Sequence, residues 1–402
     1  GAAVNQVSKT PRLIDAPQVD VTLRHHNHRP PTSAFTILTG ENAALRLNAM
    51  STTADNNGSG SSIEKKGIAG TYQWGTGTRD EFAISLYHLD NKNGMNYGMP
   101  WIRPTTTSPV SATTLLPLDP SRYYGAASDY NAGNATFATL SHIHRFDGEA
   151  ELKTQLRAGH FERDQRAGAI RLGAAALQPG GVAASLATFG PGTALTRGTH
   201  LKIQDMDTVH LQSDFSKKFN ALGVRHELLA GFDFAHEQKT VYAARSAAQG
   251  GVTITKPTTT VGTPNDGAGV AEGSRVLRTA NDFESKAWGA YVQDLIQIAP
   301  HWKLLAGLRY DNMDGKYNAY AIPTAASGPV TTTSYRQKIS EWSQRAGVLY
   351  QPNELQSYHF SYGTSFNTSG DTYSYSAANV NTPPEASRNL ELGAKIDSAD
   401  KR

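Results

Sequence analysis

The sequence predicts an all-β chain, a transmembrane antiparallel up-and-down β-barrel, on three observations. The first is composition. Of 402 residues only 18% are charged, below the roughly 25% usual in soluble domains. Mean hydropathy is nonetheless −0.46, so the polarity comes from Ser, Thr, Asn, Gln and Gly, with 17 Tyr beside them. The second is alternation with a period of two, which sends successive side chains to opposite faces of a strand. The third is the rhythm of the connections, in which short links alternate with long ones. Such a barrel has short turns at one membrane surface and long loops at the other.

The strands read as follows. In 149–158, Glu149, Glu151, Lys153, Gln155 and Arg157 share one face, and Ala150, Leu152, Leu156 and Ala158 the other, with Thr154 the polar exception. Val209, Leu211 and Phe215 oppose His210, Gln212 and Asp214; Leu228, Ala230, Phe232 and Phe234 oppose Glu227, Asp233 and Glu237. In 302–311, Trp302, Leu304, Ala306, Leu308 and Tyr310 oppose Lys303, Gly307, Arg309 and Asp311. Two segments resist. In 134–146 neither face is clean, and His142 and His144 share a face with Leu140. In 286–298 the apolar face (Trp288, Ala290, Val292, Ile296, Ile298) includes Asp294. A carboxylate facing lipid is costly, so either Asp294 lies near the membrane interface or a bulge changes the register.

Short links fall near 39–41, 75–77, 146–148, 220–223, 299–301 and 351–353, and long ones near 54–66, 91–133, 164–206, 239–282, 312–338 and 367–386. Several long links exceed the ~12–15 residues a compact soluble domain tolerates without structure. About 14 strands are expected, many near the ~9–11 residues that cross a bilayer at a tilt. Trp302 and Tyr358 follow short turns, and Trp288 and Trp342 are expected near long-loop ends, the two levels of aromatic girdles. A soluble β-protein is the competing architecture.

Other classes lack support. With no Cys, thiol catalysis, disulfides and Cys-ligated metals are excluded. A net charge of +3 does not point to nucleic acid. There is no Gly-x-Ser-x-Gly, His-Glu-x-x-His or phosphate-loop pattern, so no catalytic residue is proposed. No apolar run approaches the ~20 residues of a spanning helix. His25, His26 and His28 cluster, but adjacent strand residues face opposite ways, so no metal site is expected there.

Several motifs carry a resemblance. Gly1–Pro11 resembles the end of the plug domain of TonB-dependent receptors. Arg46-Leu47-Asn48-Ala49-Met50 is similar to an early barrel strand, and Tyr97-Gly98-Met99-Pro100-Trp101 to a loop of the siderophore receptors. Ala290–Asp294 with Pro300–Asp311 resembles a mid-barrel hairpin, and Pro384–Lys395 the strand after a large outer loop. Tyr123-Tyr124-Gly125 through Asp129-Tyr130 is closest to the catecholate branch. The resemblance implies the end of a plug at 1–13 and a partial barrel at 14–402, with about 14 of the ~22 strands of a plugged barrel. Most of the plug and the C-terminal strands are expected to lie outside this segment.

The resemblance further implies a monomeric outer-membrane importer of ferric siderophores, not an enzyme. Its partners would be the TonB energy-transducing complex, reached through the plug, and outer-membrane lipid and lipopolysaccharide. The ferric siderophore is transported ligand, and no cofactor is expected. A large anionic aromatic chelate calls for Arg forks and flat Tyr or Trp surfaces. Candidates are Tyr97, Trp101, Arg103, Arg122, Tyr123, Tyr124 and Tyr130 in one long link, with Arg163, Arg166 and Arg171 beside the next. Each has a bland alternative in loop packing or solubility. Lumen-facing Glu151, Lys153, Arg157, Lys303 and Arg309 either steer ligand, meet the plug or pair among themselves. A passive porin and a receptor for another cargo are the alternative functions.

Overall fold

Alternation becomes pairing in the computed structural model, which describes residues 9–14, 16–21, 31–55, 60–147, 149–324, 330–368 and 373–398. Fourteen strands form one antiparallel sheet in which spatial order follows chain order. They are β1 (Ala16–Val21), β2 (Pro31–Gly40), β3 (Ala43–Ala54), β4 (Ile63–Trp74), β5 (Asp80–Asn93), β6 (Tyr130–Phe146), β7 (Ala150–Ala167), β10 (His200–Ala221), β11 (Val224–Ala244), β13 (Leu277–Ala299), β14 (Trp302–Ala321), β15 (Thr331–Asn353), β16 (Gln356–Asn367) and β17 (Glu385–Ile396). Three short strands in the loops, β8 (Ile170–Leu172), β9 (Ala194–Arg197) and β12 (Thr259–Thr260), form a second sheet. In the described residues β1 and β17 each have one neighbour, so the large sheet is an open segment of barrel wall. No helix among them is long and apolar enough to cross a membrane.

The two faces match the sequence reading. One row across seven strands runs Tyr72–Ile84–Leu140–Leu156–Leu211–Phe234–Trp288. All seven are apolar or aromatic, and Ile84, Leu140 and Leu156 are exposed, as a lipid-facing wall requires. The neighbouring inward row runs Thr71–Ser85–Thr139–Arg157–His210. Trp288, Tyr310 and Trp342 stack side by side on the outer face, with ring centroids 5.4 and 4.9 Å apart. Trp302, Tyr350 and Tyr358 form the matching stack near the short turns.

The strands are longer than the alternation suggests. The long links shrink to 94–129, 168–199, 245–276 and 368–384, and the one expected at 312–338 is a connection of 322–330 only. Trp288 and Trp342 therefore sit in mid-strand. Above the girdle the ladder continues while the outer face turns polar, in the rows Lys286–Asp314–Lys338 and Glu284–Lys316–Arg336. With both faces wet, pairing persists but the apolar signal ends.

Asp294 lies on the outer face, toward the short-turn end of β13, and of the two expectations the bulge is set aside. The bulge at Gln297/Ala299 comes after it and leaves its orientation unchanged. Its carboxylate accepts a 2.6 Å hydrogen bond from His226 Nδ1 on β11, and the imidazole lies flat on Phe219, 4.9 Å away. A partner on the next strand makes the buried charge tolerable.

Candidate functional site

The chemistry collects at the long-loop end. Three loops there fold together into a cap with its own small core of Tyr124, Ile170, Leu195 and Val261. Sequence alone shows nothing of it, because the contributors are far apart and lie in Gly-, Ala- and Thr-rich stretches. The three-stranded sheet β12–β9–β8 staples loop 168–199 to loop 245–276. The Tyr124 hydroxyl then donates to Val261 O at 3.0 Å, tying loop 94–129 to the others.

Two buried cations hold the cap. Arg197 donates from Nε to Tyr124 O at 2.8 Å, from Nη1 to Pro257 O at 3.2 Å and from Nη2 to Asp266 Oδ1 at 2.8 Å. Lys256 Nζ is bonded to Asp129 Oδ1 and lies 3.4 Å from Glu272 Oε1, all three side chains being nearly inaccessible. Asp129 Oδ2 also accepts from the amides of Gly168 (3.0 Å) and Ala126 (3.3 Å). Burial pushes the Glu272 carboxyl up, but Arg275 at 2.5 Å and the Lys256 charge outweigh it and hold the group below its ordinary value. Asp266 is likewise held low by Arg197 against the effect of burial. These residues escaped the sequence reading. Their one signal was isolation: Arg197 and Lys256 are the sole charged residues of 172–199 and 246–265.

The predicted binding residues divide into three groups. Tyr124 is 2% exposed and Arg166 8%, and both are structural. Arg166 clamps Asp164 with Nε and Nη2 at 2.8 and 3.0 Å and donates to Glu272 O at 2.5 Å, while Tyr130 donates to the same Asp164 at 3.2 Å. Tyr123 is half-buried, its hydroxyl donating to Met95 O and Ala126 O, and burial raises its pKa. A second group lines the inner wall at the mouth. Arg163 donates to Gln165 at 2.5 Å, and the Gln165 amide donates to the Tyr97 hydroxyl. The third group is free surface: Trp101 is 61% exposed, and Arg103, Arg122 and Arg171 are exposed. These ten residues therefore form no single patch.

A second aromatic group lies across the mouth and was not foreseen. From the segment 373–384, Tyr373 and Tyr375 pack on Phe283 and Tyr317 of the inner face. Lys239 lies 4.9 Å over the Tyr373 ring. Gly315 supplies the room, since a Cβ there would stand 2.3 Å from the Tyr375 hydroxyl.

Below the mouth, the inner wall carries polar chemistry across a trough of about 850 Å³. Arg309 forks onto Asp233 at 2.7 and 3.1 Å, bonds Asp311 at 2.9 Å and lies over the Tyr291 ring at 5.3 Å. Lys303 pairs with Glu227 at 3.7 Å, and Arg157 donates to Thr139 at 3.0 Å. These lumen cations are engaged with neighbours. Lys153 lines a second inner-wall trough, where Thr10, from the chain's first described segment, stands near Gln73, Ser85 and Ser141. His25, His26 and His28 lie outside the described residues.

The profile of a family described as TonB dependent receptor-like, beta-barrel, matches residues 42–401. The catecholate siderophore receptor Fiu of Escherichia coli K12 is 24% identical over 428 residues, covering all of this chain and 54% of Fiu. The crystal structure of Fiu in its closed form superposes with a TM-score of 0.86 at 21% identity, over 98% of this chain and 57% of that one. The siderophore receptor PiuA of Acinetobacter baumannii superposes at 0.79 and 20% identity, over 98% and 56%. This chain thus spans about half the length of the relatives it matches.

Proposed function

The chain belongs to the TonB-dependent receptor β-barrel family of the outer membrane, and from that premise we propose that it is the barrel wall and outer cap of a receptor importing ferric siderophores of the catecholate class. One observation carries the reading: the chain corresponds over its whole length in sequence, and over 98% of it in fold, to a receptor named for that cargo. The surface chemistry agrees. Trp101, Arg103 and Arg122 present aromatic and cationic surface to the outside, and Tyr97 with Arg163 continues it to the mouth. Guanidinium and aromatic faces suit an anionic catecholate complex. The cap holds these groups on a rigid base, which lowers the ordering cost of binding.

Residues 1–13 are read as the end of a plug, with Thr10 at the inner wall in support. Energy would then reach the barrel through the plug and its TonB partner, the receptor acting as a monomer. The test is uptake of radiolabelled ferric catecholates by whole cells expressing the full receptor. Uptake should stop when the proton-motive force is collapsed. Persistent uptake would favour a passive pore, and energised cells that import a different chelate but no catecholate would overturn the cargo assignment.

A further inference from the structure

Two carboxylates stand on the outer face of the wall near the short turns, each bonded to histidine. Asp294 has one partner, His226, stacked on Phe219. Asp80, the first residue of β5, has two. His142 Nε2 and His144 Nδ1 lie 2.9 and 2.6 Å from the same oxygen, Oδ1. At Asp294 a single imidazole meets one oxygen and Oδ1 has no hydrogen-bond partner, whereas at Asp80 two imidazoles converge on one and the same oxygen. Among the described residues, this is the one group of three His or acidic side chains whose ligand atoms converge within 4.8 Å.

We propose that Asp80, His142 and His144 bind one divalent transition-metal ion of the zinc, nickel or copper type on the outer rim of the barrel, apart from the transported iron. Two imidazoles and a carboxylate are a three-ligand set that leaves further positions to water. Ligands at about 2.0–2.1 Å from a tetrahedral ion stand ~3.3 Å apart. The carboxylate–imidazole separations of 2.9 and 2.6 Å are hydrogen-bond lengths and all three ligand atoms lie within 4.8 Å of one another, so an entering ion needs the groups to part by less than about 1 Å. Both rings are already aimed. His142 lies flat on Phe82 at 4.3 Å, and His144 meets the edge of Phe146 at 4.4 Å. Ring orientation set by neighbours is what a metal site needs before the ion arrives. Protein does not seal the ligands, their side chains being 27–44% exposed, and Asp80 opens β5 directly after the short turn at 75–79. Register explains the convergence: Asp80 pairs directly with His144, and His142 is the next outward residue of β6. The bound ion would pin β5 to β6 across the 94–129 loop at the end opposite that loop.

The test uses the full receptor purified in detergent, stripped with a chelator and titrated with Zn²⁺ by calorimetry and Cu²⁺ by electron paramagnetic resonance. Expected is one saturable equivalent that disappears in H142Q/H144Q, with a copper spectrum showing two imidazole nitrogens. Asp80→Asn keeps an acceptor for both rings but should weaken the metal at least about tenfold, by loss of an anionic ligand. H226Q should leave the titration unchanged. Heat-modifiable gel mobility checks that each variant is a folded barrel. Equal binding in the parent and H142Q/H144Q, or the absence of a saturable equivalent in the parent, would overturn the proposal. The parent titration alone can do so if a variant fails to fold.

Discussion

Replacing Lys256 by Met should open the cap and leave the barrel standing. The ammonium is fully buried between Asp129 and Glu272, so its loss strands two carboxylates. Breaking a buried ion pair costs about 3–5 kcal/mol. Here the low end applies, because Asp129 keeps the amides of Gly168 and Ala126, and Glu272 keeps Arg275. About 3 kcal/mol corresponds to a roughly 100-fold rise in the open population. Local opening is what amide hydrogen exchange reads. Peptides from 168–199 and 245–276 should exchange about 100-fold faster, while those from β13 and β14 keep their rates. Adding Asp129→Asn removes one stranded charge and should restore part of the protection, since the amide oxygen still accepts from the backbone. Cap exchange within about threefold of the parent, a difference of under 1 kcal/mol, would refute the view that this ion cluster holds the cap.

Three further outcomes follow from the same geometry. Acid should loosen the cap: Glu272 and Asp266 are held below their ordinary values of 4.5 and 3.8, so their contribution is complete above that range and is lost as pH falls through the depressed values. Limited proteolysis between pH 7 and 3 would show it, and a cap equally resistant throughout would count against the charge network. Joint replacement of Tyr97, Trp101 and Arg103 by Ala should weaken ferric-catecholate binding by more than about tenfold, the loss of ~1.4 kcal/mol or more of contact; an unchanged dissociation constant removes that loop from the binding surface. His226→Leu should cost about 2 kcal/mol in denaturant unfolding from lipid vesicles by stranding Asp294, and His226→Leu/Asp294→Leu should recover most of it. A double variant as unstable as the single one would show that the pair is not what makes the carboxylate tolerable.

Much of the wall was legible because alternation is a local property. Leu152 and Leu156 face one medium and Lys153 and Gln155 another, and no distant residue is needed to see it. Strand length was less legible. Above the Trp288–Tyr310–Trp342 girdle both faces meet water, so Lys286, Lys316 and Lys338 look like loop residues although the ladder runs on beneath them. The binding residues were least legible. Tyr124 and Arg166 have the right chemistry for a ligand but spend it on Val261, Asp164 and Glu272. Tyr373 and Tyr375 lie in a stretch whose composition suggests only a flexible link.

Sequence by itself determined that this chain is barrel wall, which face meets lipid, where the short turns fall, and the family through motifs spread from end to end. Tertiary structure alone decided which loop residues are free. Trp101, Arg103 and Arg122 are exposed while Tyr124, Arg166, Arg197 and Lys256 are buried, because burial in a loop depends on distant partners, 137 residues away for Tyr124. Period-two patterning records the medium on each side of a strand. It carries no record of which loops meet above the sheet.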